Sequence, residues 1–274
     1  MGQQVVVVVG VGGMGVAIAR RLGSGARLLV ADVDQETLGA ATGELEGEGY
    51  AVTAAPVDVS SRDSVAALAR QAASLGEVRT VVHTAGLSPV QAPVPAILAV
   101  DLLGVALVLD EFTEVIASGG AGVVIASMAA HGHPGFSPEQ ARELATAPAD
   151  RLLSLPVAAE SQFPHAGAAY GFAKRANLLR VQAASATWGA RGARINSISP
   201  GVIATPMGRT ELSGEHGDSM RMMIEASHAQ RPGTPADIAE AAAFLLGPAA
   251  SFISGTDLLV DGGVTAVGAA GRLG

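Results

Sequence analysis

Chemistry is most directly legible at Tyr170 and Lys174. Lys174 is the only lysine among 17 basic side chains, all the others being arginine, and it stands four positions after one of just 2 tyrosines. That spacing places both side chains on one face of a helix. A compact ammonium at this point offers something that the planar, more weakly hydrated guanidinium does not. A phenol beside an ammonium can act as an acid and a base: it takes the proton of an alcohol during oxidation and returns it when a ketone is reduced. The free phenol titrates near 10, so working near neutrality requires about 3 to 4 kcal/mol in favour of the phenolate. One ammonium at about 4 Å, with an effective dielectric of about 20, supplies about 4 kcal/mol. The spacing therefore predicts a Tyr170 phenol drawn downward by Lys174, with burial opposing the shift. An ordinary exposed Tyr/Lys stripe fits less well, because the flanking Ala166 to Ala169 and Ala173 are small and apolar. Ser127, closing the run Val-Val-Ile-Ala-Ser, offers a hydroxyl to the same site.

Such a reaction needs a redox partner, and the N-terminal residues suggest one. Val5 to Val9 run into Gly10-Val11-Gly12-Gly13-Met14-Gly15, a strand followed by a glycine loop and the start of a helix. Glycines permit positive φ and close approach of backbone amides to a pyrophosphate, and the helix N-terminus adds positive potential. Asp32 closes the second apolar run, where a carboxylate can accept hydrogen bonds from ribose hydroxyls. Its charge disfavours a 2′-phosphate, and neither Val33 nor the glycine loop offers a basic residue to hold one. NAD is therefore expected rather than NADP. Asp32 could alternatively cap the next helix, a role open to Asp34 as well.

These residues must be held by alternating elements. Strands are expected near 4–9, 27–31, 51–55, 79–84, 122–127, 193–198 and 256–260, with helices near 14–23, 34–46, 61–75, 95–118, 166–188 and 235–246. Repeated βαβ units with right-handed crossovers make an α/β fold. The expected form is a single Rossmann-type, doubly wound parallel sheet of about seven strands with helices on both faces, spanning 1–274 as one domain. Ligands then bind at the carboxyl ends of the strands, where the winding reverses. Two stretches interrupt the alternation. Residues 128–164 carry prolines at 134, 138, 148, 156 and 164, and Ser137-Pro138-Glu139-Gln140 reads as a capped helix start. Residues 204–232 carry Met207, Met220, Met222 and Met223, consistent with a substrate lid or with ordinary core.

Composition narrows the function. A formal charge of −8 argues against nucleic acid and against an anionic membrane surface, since both need clustered Lys and Arg. With no cysteine, disulfides, thiol nucleophiles and Cys-ligated zinc are excluded. The run Val5 to Val9 is too short to span a bilayer and has no basic segment ahead of it, so cytoplasm is the expected location. His131, His133 and His165 lack the partners that would complete a coordination set, and no metal is expected.

Taken together, the motifs resemble the compact, single-domain branch of the short-chain dehydrogenase/reductase family along essentially the whole chain. Tyr170-Gly-Phe-Ala-Lys174 matches its active-site Tyr-x-x-x-Lys, and Ser127 its substrate-orienting serine. Asp58-Val59 resembles the adenine-contacting pair, and Thr84-Ala85-Gly86 the Asn-Ala-Gly turn. The segment from Asn196 through Pro200 and Gly201, with Ile203 and Thr205, resembles the stretch around the nicotinamide, and Asp261-Gly262-Gly263 the C-terminal signature. The resemblance implies Gly10, Gly13, Met14, Gly15, Asp32, Val33, Asp58, Val59, Thr84, Ala85, Gly86, Pro200, Ile203 and Thr205 as cofactor contacts, and a homo-oligomer, tetramer or dimer.

Two departures stand out. The glycine loop is one residue shorter than usual, so Gly10 sits one place nearer to Gly13-Met14-Gly15. Asp101 replaces an asparagine that supports a water relay to the lysine; it could hold Lys174 charged or simply mark a helix kink. The long interval between Ser127 and Tyr170 is similar to that of bacterial hydroxysteroid dehydrogenase/carbonyl reductases, where an insertion roofs the substrate pocket or alters subunit packing. The expected activity is hydride transfer between NAD(H) and a secondary alcohol or ketone, of apolar or alicyclic shape, with Tyr170 as acid/base. The alternative is a non-catalytic dinucleotide-binding redox sensor.

Overall fold

Val, Ile, Leu and Ala dominate the strands because helices cover both faces of the sheet, so successive residues are buried whichever way they point. Val5 to Val9, alternating between the two faces, are all 5% exposed or less. The computed structural model describes residues 2–214 and 217–271. Its first half alternates strictly: β1 (Gln4–Val9), α1 (Gly13–Leu22), β2 (Arg27–Asp32), α2 (Gln35–Gly47), β3 (Ala51–Pro56), α3 (Arg62–Leu75) and β4 (Glu77–His83). There follow α4 (Val94–Ile97), a π-helical turn (Leu98–Gly104), α5 (Val105–Thr113) and β5 (Ile116–Ile125). After β5 come α6 (Ala129–Gly132), α7 (Pro138–Thr146), three short 3₁₀ turns and the 25-residue α8 (Ala166–Ala190). The chain closes with β6 (Arg194–Pro200), α9 (Pro206–Ser213), α10 (Gly217–Ala226), α11 (Pro235–Leu246), β7 (Asp257–Val260) and α12 (Val264–Ala269).

All seven strands are parallel, in the order β3-β2-β1-β4-β5-β6-β7. The winding reverses between β1 and β4, which opens a crevice at their carboxyl ends. Val5, Val7 and Val9 join the core under α3, α5 and α8, while Val6 and Val8 join the core under α1, α2 and α11. Among the described residues, no helix is long and apolar enough to cross a membrane.

The expected helix over 95–118 divides into α4, the π turn and α5, and its last residues belong to β5. α5 ends at Thr113, and β5 starts early at Ile116, opposite Val78, with a register shift before Ala121. Apolar Phe112, Val115 and Ile116 fit either period, so the spacing of hydrophobic residues does not locate this boundary.

The proline-rich excursion is tied down rather than loose. Ser137 and Gln140 form the expected capping box at the start of α7. The buried Arg180 of α8 donates from Nη1 to the carbonyls of Leu144 at 3.1 Å and Ala147 at 2.9 Å, fixing the end of α7. Leu144, Ala149, Leu152 and Ala158 are buried in the core under α8. At the other end, His131 Nε2 lies 2.9 Å from Asp257 Oδ2, while Asp257 Oδ1 accepts from Ser197 and Ser199 at 2.6 and 3.0 Å. His131 is therefore used to pin α6 to β6 and β7.

Trp188, fully buried near the end of α8, packs across Gly122 of β5: a Cβ on Gly122 would meet the indole at 2.7 Å and Ile195 at 2.6 Å. Gly122→Ala should therefore destabilise the fold by about 1–3 kcal/mol through overpacking. Urea unfolding monitored by the single tryptophan tests this, and an unchanged midpoint would contradict the packing described.

Candidate active site

The base of the site is one buried ion pair. Lys174 Nζ lies 2.8 Å from Asp101 Oδ1, with the lysine side chain 5% and the aspartate 0% exposed. Lys174 also sits 5.3 Å from the centre of the Tyr170 ring, so the i, i+4 spacing on α8 does bring the two together. Asp101 reaches its lysine from the π-helical turn, and its Oδ2 accepts from the amide of Leu87 at 3.1 Å. Asn177, one turn further along α8, donates from Nδ2 to the backbone carbonyl of Asp101 at 2.8 Å. A π turn points a side chain in a direction a regular helix would not. Both readings of Asp101, as a kink residue and as a partner of Lys174, thus describe the same residue. Gly86 makes room for the pair: a Cβ there would stand 2.7 Å from Asp101 Oδ1 and 3.3 Å from Lys174 Nζ.

The electrostatics differ from the sequence expectation. Burial disfavours the ammonium of Lys174, but Asp101 and Tyr170 outweigh it and its pKa rises. Burial also pushes the Asp101 carboxyl up, against the pull of Lys174. The Tyr170 phenol is pushed up, not drawn down: burial dominates, Lys174 and the Ser127 hydroxyl lower it, and Asp101 and Glu211 raise it. The expected fall gave the ammonium more weight than burial, which is the larger influence here, and did not include the Asp101 carboxylate that works against Lys174 at the phenol. His83, 1% exposed at the end of β4, is pushed down to about 3 by burial and by Lys174, so no second cation forms beneath the site.

Two cavities meet at Tyr170. The first, of about 290 Å³, runs from the glycine loop to Lys174 and is lined by Gly12, Gly13, Met14 and Gly15 as well as Thr84, Gly86, Asp101 and Thr205. The loop fits a phosphate-bearing ligand. No side chain caps α1, whose N-cap is Gly12, and the position of a Cβ on Gly12 is open space, which leaves the first-turn amides facing the cavity. Gly15 packs so tightly that a Cβ would lie 2.0 Å from the Gly10 carbonyl. Gly10 itself serves the turn, with φ 92°, its amide given to Ala31 and its carbonyl bonded by Thr84. Asp32 stands at the end of β2 with Oδ2 accepting from Val11 and Oδ1 from Asp34, while Asp34 caps α2. Val33 is 68% exposed beside it.

The remaining candidates divide. Pro200, Ile203 and Thr205 line the second cavity, and Thr205 reaches both. Ala85 donates its amide to Val9, so its part in the turn is structural. Asp58 is exposed and accepts from Ser60, whereas the Val59 side chain is buried, with only 2.8 Å between its Cγ2 and a Cβ built on Gly104. The Val59 side chain is therefore closed to a ligand. Ser127 stands two residues beyond β5, with Oγ accepting from Ala129 at 3.1 Å, and shares the second cavity of about 320 Å³ with Tyr170. The wall of that cavity includes Met128 from the excursion and Met207 and Met220 from α9 and α10, whereas Met222 is exposed. His133 packs on Phe136 and Phe172, and His165 caps α8. Among the described residues, no three His, Cys, Asp or Glu side chains gather as a metal site would require.

Glu211 and Ser88 belong to the site as well, although no sequence motif marks them. Glu211 lines the second cavity and accepts a hydrogen bond from the buried Ser88 hydroxyl. A signal existed: Met207 and Glu211 are four apart on α9, and both line the second cavity.

Comparison with known proteins follows the same lines. A family model described as short chain dehydrogenase matches residues 4–138, and one described as Enoyl-(Acyl carrier protein) reductase matches 138–265. The chain is 43% identical over 268 residues to the short-chain dehydrogenase/reductase bsc3 of Alternaria brassicicola, covering 97% of each. It is 30% identical to the cis-4-hydroxycyclohexanecarboxylate dehydrogenase of Sinomonas cyclohexanicum, over 97% of this chain and 98% of that one. A short-chain type dehydrogenase/reductase from Mycobacterium ulcerans superposes with a TM-score of 0.76 at 25% identity, over 96% and 90% of the two chains.

Only 2 tyrosines are present, and Tyr50 is bonded to the Arg20 carbonyl on another helix, so the Tyr170 phenol can be titrated by difference against Tyr170→Phe. Ser127→Ala removes a hydrogen bond that lowers the phenol and should move its ionisation to higher pH in the ligand-free protein. Tyrosinate absorbance against pH measures this; a curve that stays in place or moves downward contradicts this account of the phenol's surroundings.

Proposed function

The chain belongs to the short-chain dehydrogenase/reductase family, and from that premise we propose that it oxidises a secondary alcohol, or reduces the corresponding ketone, with NAD(H). The carrying observation is that Tyr170, Ser127 and Lys174 converge where the glycine-loop cavity meets an apolar one. We read residues 1–274 as one catalytic domain, with 128–164 as an insertion and 204–232 as the substrate lid.

The residues that would hold the dinucleotide follow the first cavity. Amides at Gly13, Met14 and Gly15 bind the pyrophosphate, and Asp32 accepts from the adenosine ribose. Asp58 and the backbone of Val59 border the adenine; Thr84, Ala85 and Gly86 form the floor. Pro200, Ile203 and Thr205 flank the nicotinamide. The Asp32 carboxylate at the end of β2, with the apolar, exposed Val33 beside it, disfavours a 2′-phosphate, which supports NAD. When bound, the dinucleotide supplies the two-electron redox partner.

The side chains handle the proton and the substrate oxygen. Ser127 accepts at its oxygen from the Ala129 amide, which orients the hydroxyl, and would donate its proton to the substrate oxygen to hold it beside the phenol. Tyr170 takes the alcohol proton at its phenol oxygen, or returns it in reduction. Lys174, kept an ammonium by Asp101, stabilises the phenolate and would bind the nicotinamide ribose. A phenol pushed up by its surroundings is protonated near neutrality, which is the form that reduction needs, and oxidation gains as the pH rises toward its ionisation. The name of the Sinomonas relative supports an alicyclic substrate, as does the apolar wall around Ser127. Exposed Phe244 and Phe252 support association into a tetramer or dimer, and the composition is that of a cytoplasmic protein.

Tyr170→Phe should lower kcat/KM for cyclic alcohols by about 10²- to 10⁴-fold, the usual share of a general acid/base, while NADH still binds. Full turnover by this variant sinks the assignment. Fluorescence titration of the wild-type protein should show tighter binding of NADH than NADPH. Binding of NADH without turnover of any alcohol or ketone would instead favour a non-catalytic redox sensor.

A further inference from the structure

Within the apolar cavity that Tyr170 and Ser127 share, Glu211 is the only charged side chain among the residues described around it. Met207, Val90 and Pro89 line the same cavity, Met207 and Val90 at its solvent-facing rim. A carboxylate against such a wall must find hydrogen-bond donors or be poorly solvated. One donor is built in. Ser88, 1% exposed, gives its hydroxyl proton to Glu211 Oε1, and its oxygen in turn accepts from the Val90 amide at 3.3 Å. This chain fixes the carboxylate in place. Among the described residues nothing donates to Oε2. Because an ionised carboxylate only accepts, the free oxygen selects for a donor carried by whatever fills the cavity.

Resting on the oxidoreductase reading above, we propose that Glu211 is a specificity-determining residue that binds a second hydroxyl of the substrate, so that the preferred substrates are diols or more highly hydroxylated alcohols. The reacting hydroxyl sits with Tyr170 and Ser127, and the second donates to Glu211. A neutral hydroxyl is the better match than an ammonium, because it brings one donor to the one free oxygen, as Ser88 does to the other, whereas an ammonium brings three. A substrate carboxylate would face Glu211 across the same small cavity and be rejected.

The test compares kcat/KM for cyclohexanol, the regioisomeric cyclohexanediols, 4-aminocyclohexanol and 4-hydroxycyclohexanecarboxylate, using wild-type protein, Glu211→Gln, Glu211→Leu and Ser88→Ala. Sites that bind a substrate hydroxyl through their own polar group discriminate strongly against its absence, so at least one diol should exceed cyclohexanol by about tenfold or more. Glu211→Leu should abolish that preference, lowering the diol and raising cyclohexanol. Glu211→Gln should retain part of it through the amide oxygen and relieve the rejection of the carboxylate. Ser88→Ala, which frees the carboxylate to swing, should reduce the preference severalfold, and NADH binding reports that each variant is folded. A diol preference unchanged in Glu211→Leu overturns the proposal, as does wild-type protein that favours 4-aminocyclohexanol or accepts the carboxylate as well as the diols. If wild-type protein oxidises every alcohol without preference, only this inference fails; if it oxidises none, the oxidoreductase reading fails with it.

Discussion

The ion pair between Lys174 and Asp101 sets the terms for the rest of the site. Two opposite charges 2.8 Å apart are held with almost no access to water. Leaving either one alone in that position would be strongly unfavourable, so each requires the other. The surrounding chain conforms to the pair. Position 86 has no room for a side chain, the helix before α5 widens into a π turn, and Asn177 secures the carbonyl of the aspartate. The Tyr170 phenol feels the sum of these charges and not the ammonium alone, and burial tips its balance toward the protonated form.

Sheet topology brings these groups to a ligand crevice. The reversal of strand order between β1 and β4 leaves the carboxyl ends of both strands open, and the uncapped start of α1 faces that space. Because every strand is parallel, Asp32, Thr84, Ser127 and Pro200 emerge on the same edge of the sheet although they are far apart in sequence. The excursion after β5 contributes to the same edge. Arg180 and His131 clamp its two ends, and its first residues place Ser127 and Met128 at the wall beside Tyr170.

Local regularities made much of this legible. The glycine loop, the seven apolar runs and the capping box at Ser137 each express a rule that acts over a few residues, and each appears where expected apart from the early start of β5. The boundary near residue 116 was not legible, because Phe112, Val115 and Ile116 satisfy a helical and an extended pattern alike, and pairing with β4 decided between them. Glu211 is not legible for a related reason: an acid in a polar, methionine-rich stretch has the pattern of a solvent-facing residue, and its partner Ser88 lies 123 residues earlier.

What the sequence determined by itself were features of short range: strand and helix periodicity, the turn at Gly10, and the placement of Tyr170 and Lys174 on one helix face. Tertiary structure alone decided the direction in which the phenol shifts. That direction depends on burial and on carboxylates delivered from other elements, Asp101 by the π turn and Glu211 by α9. Electrostatic energy depends on distance through space and on the water excluded between charges, and neither quantity is written in the spacing of residues along a chain.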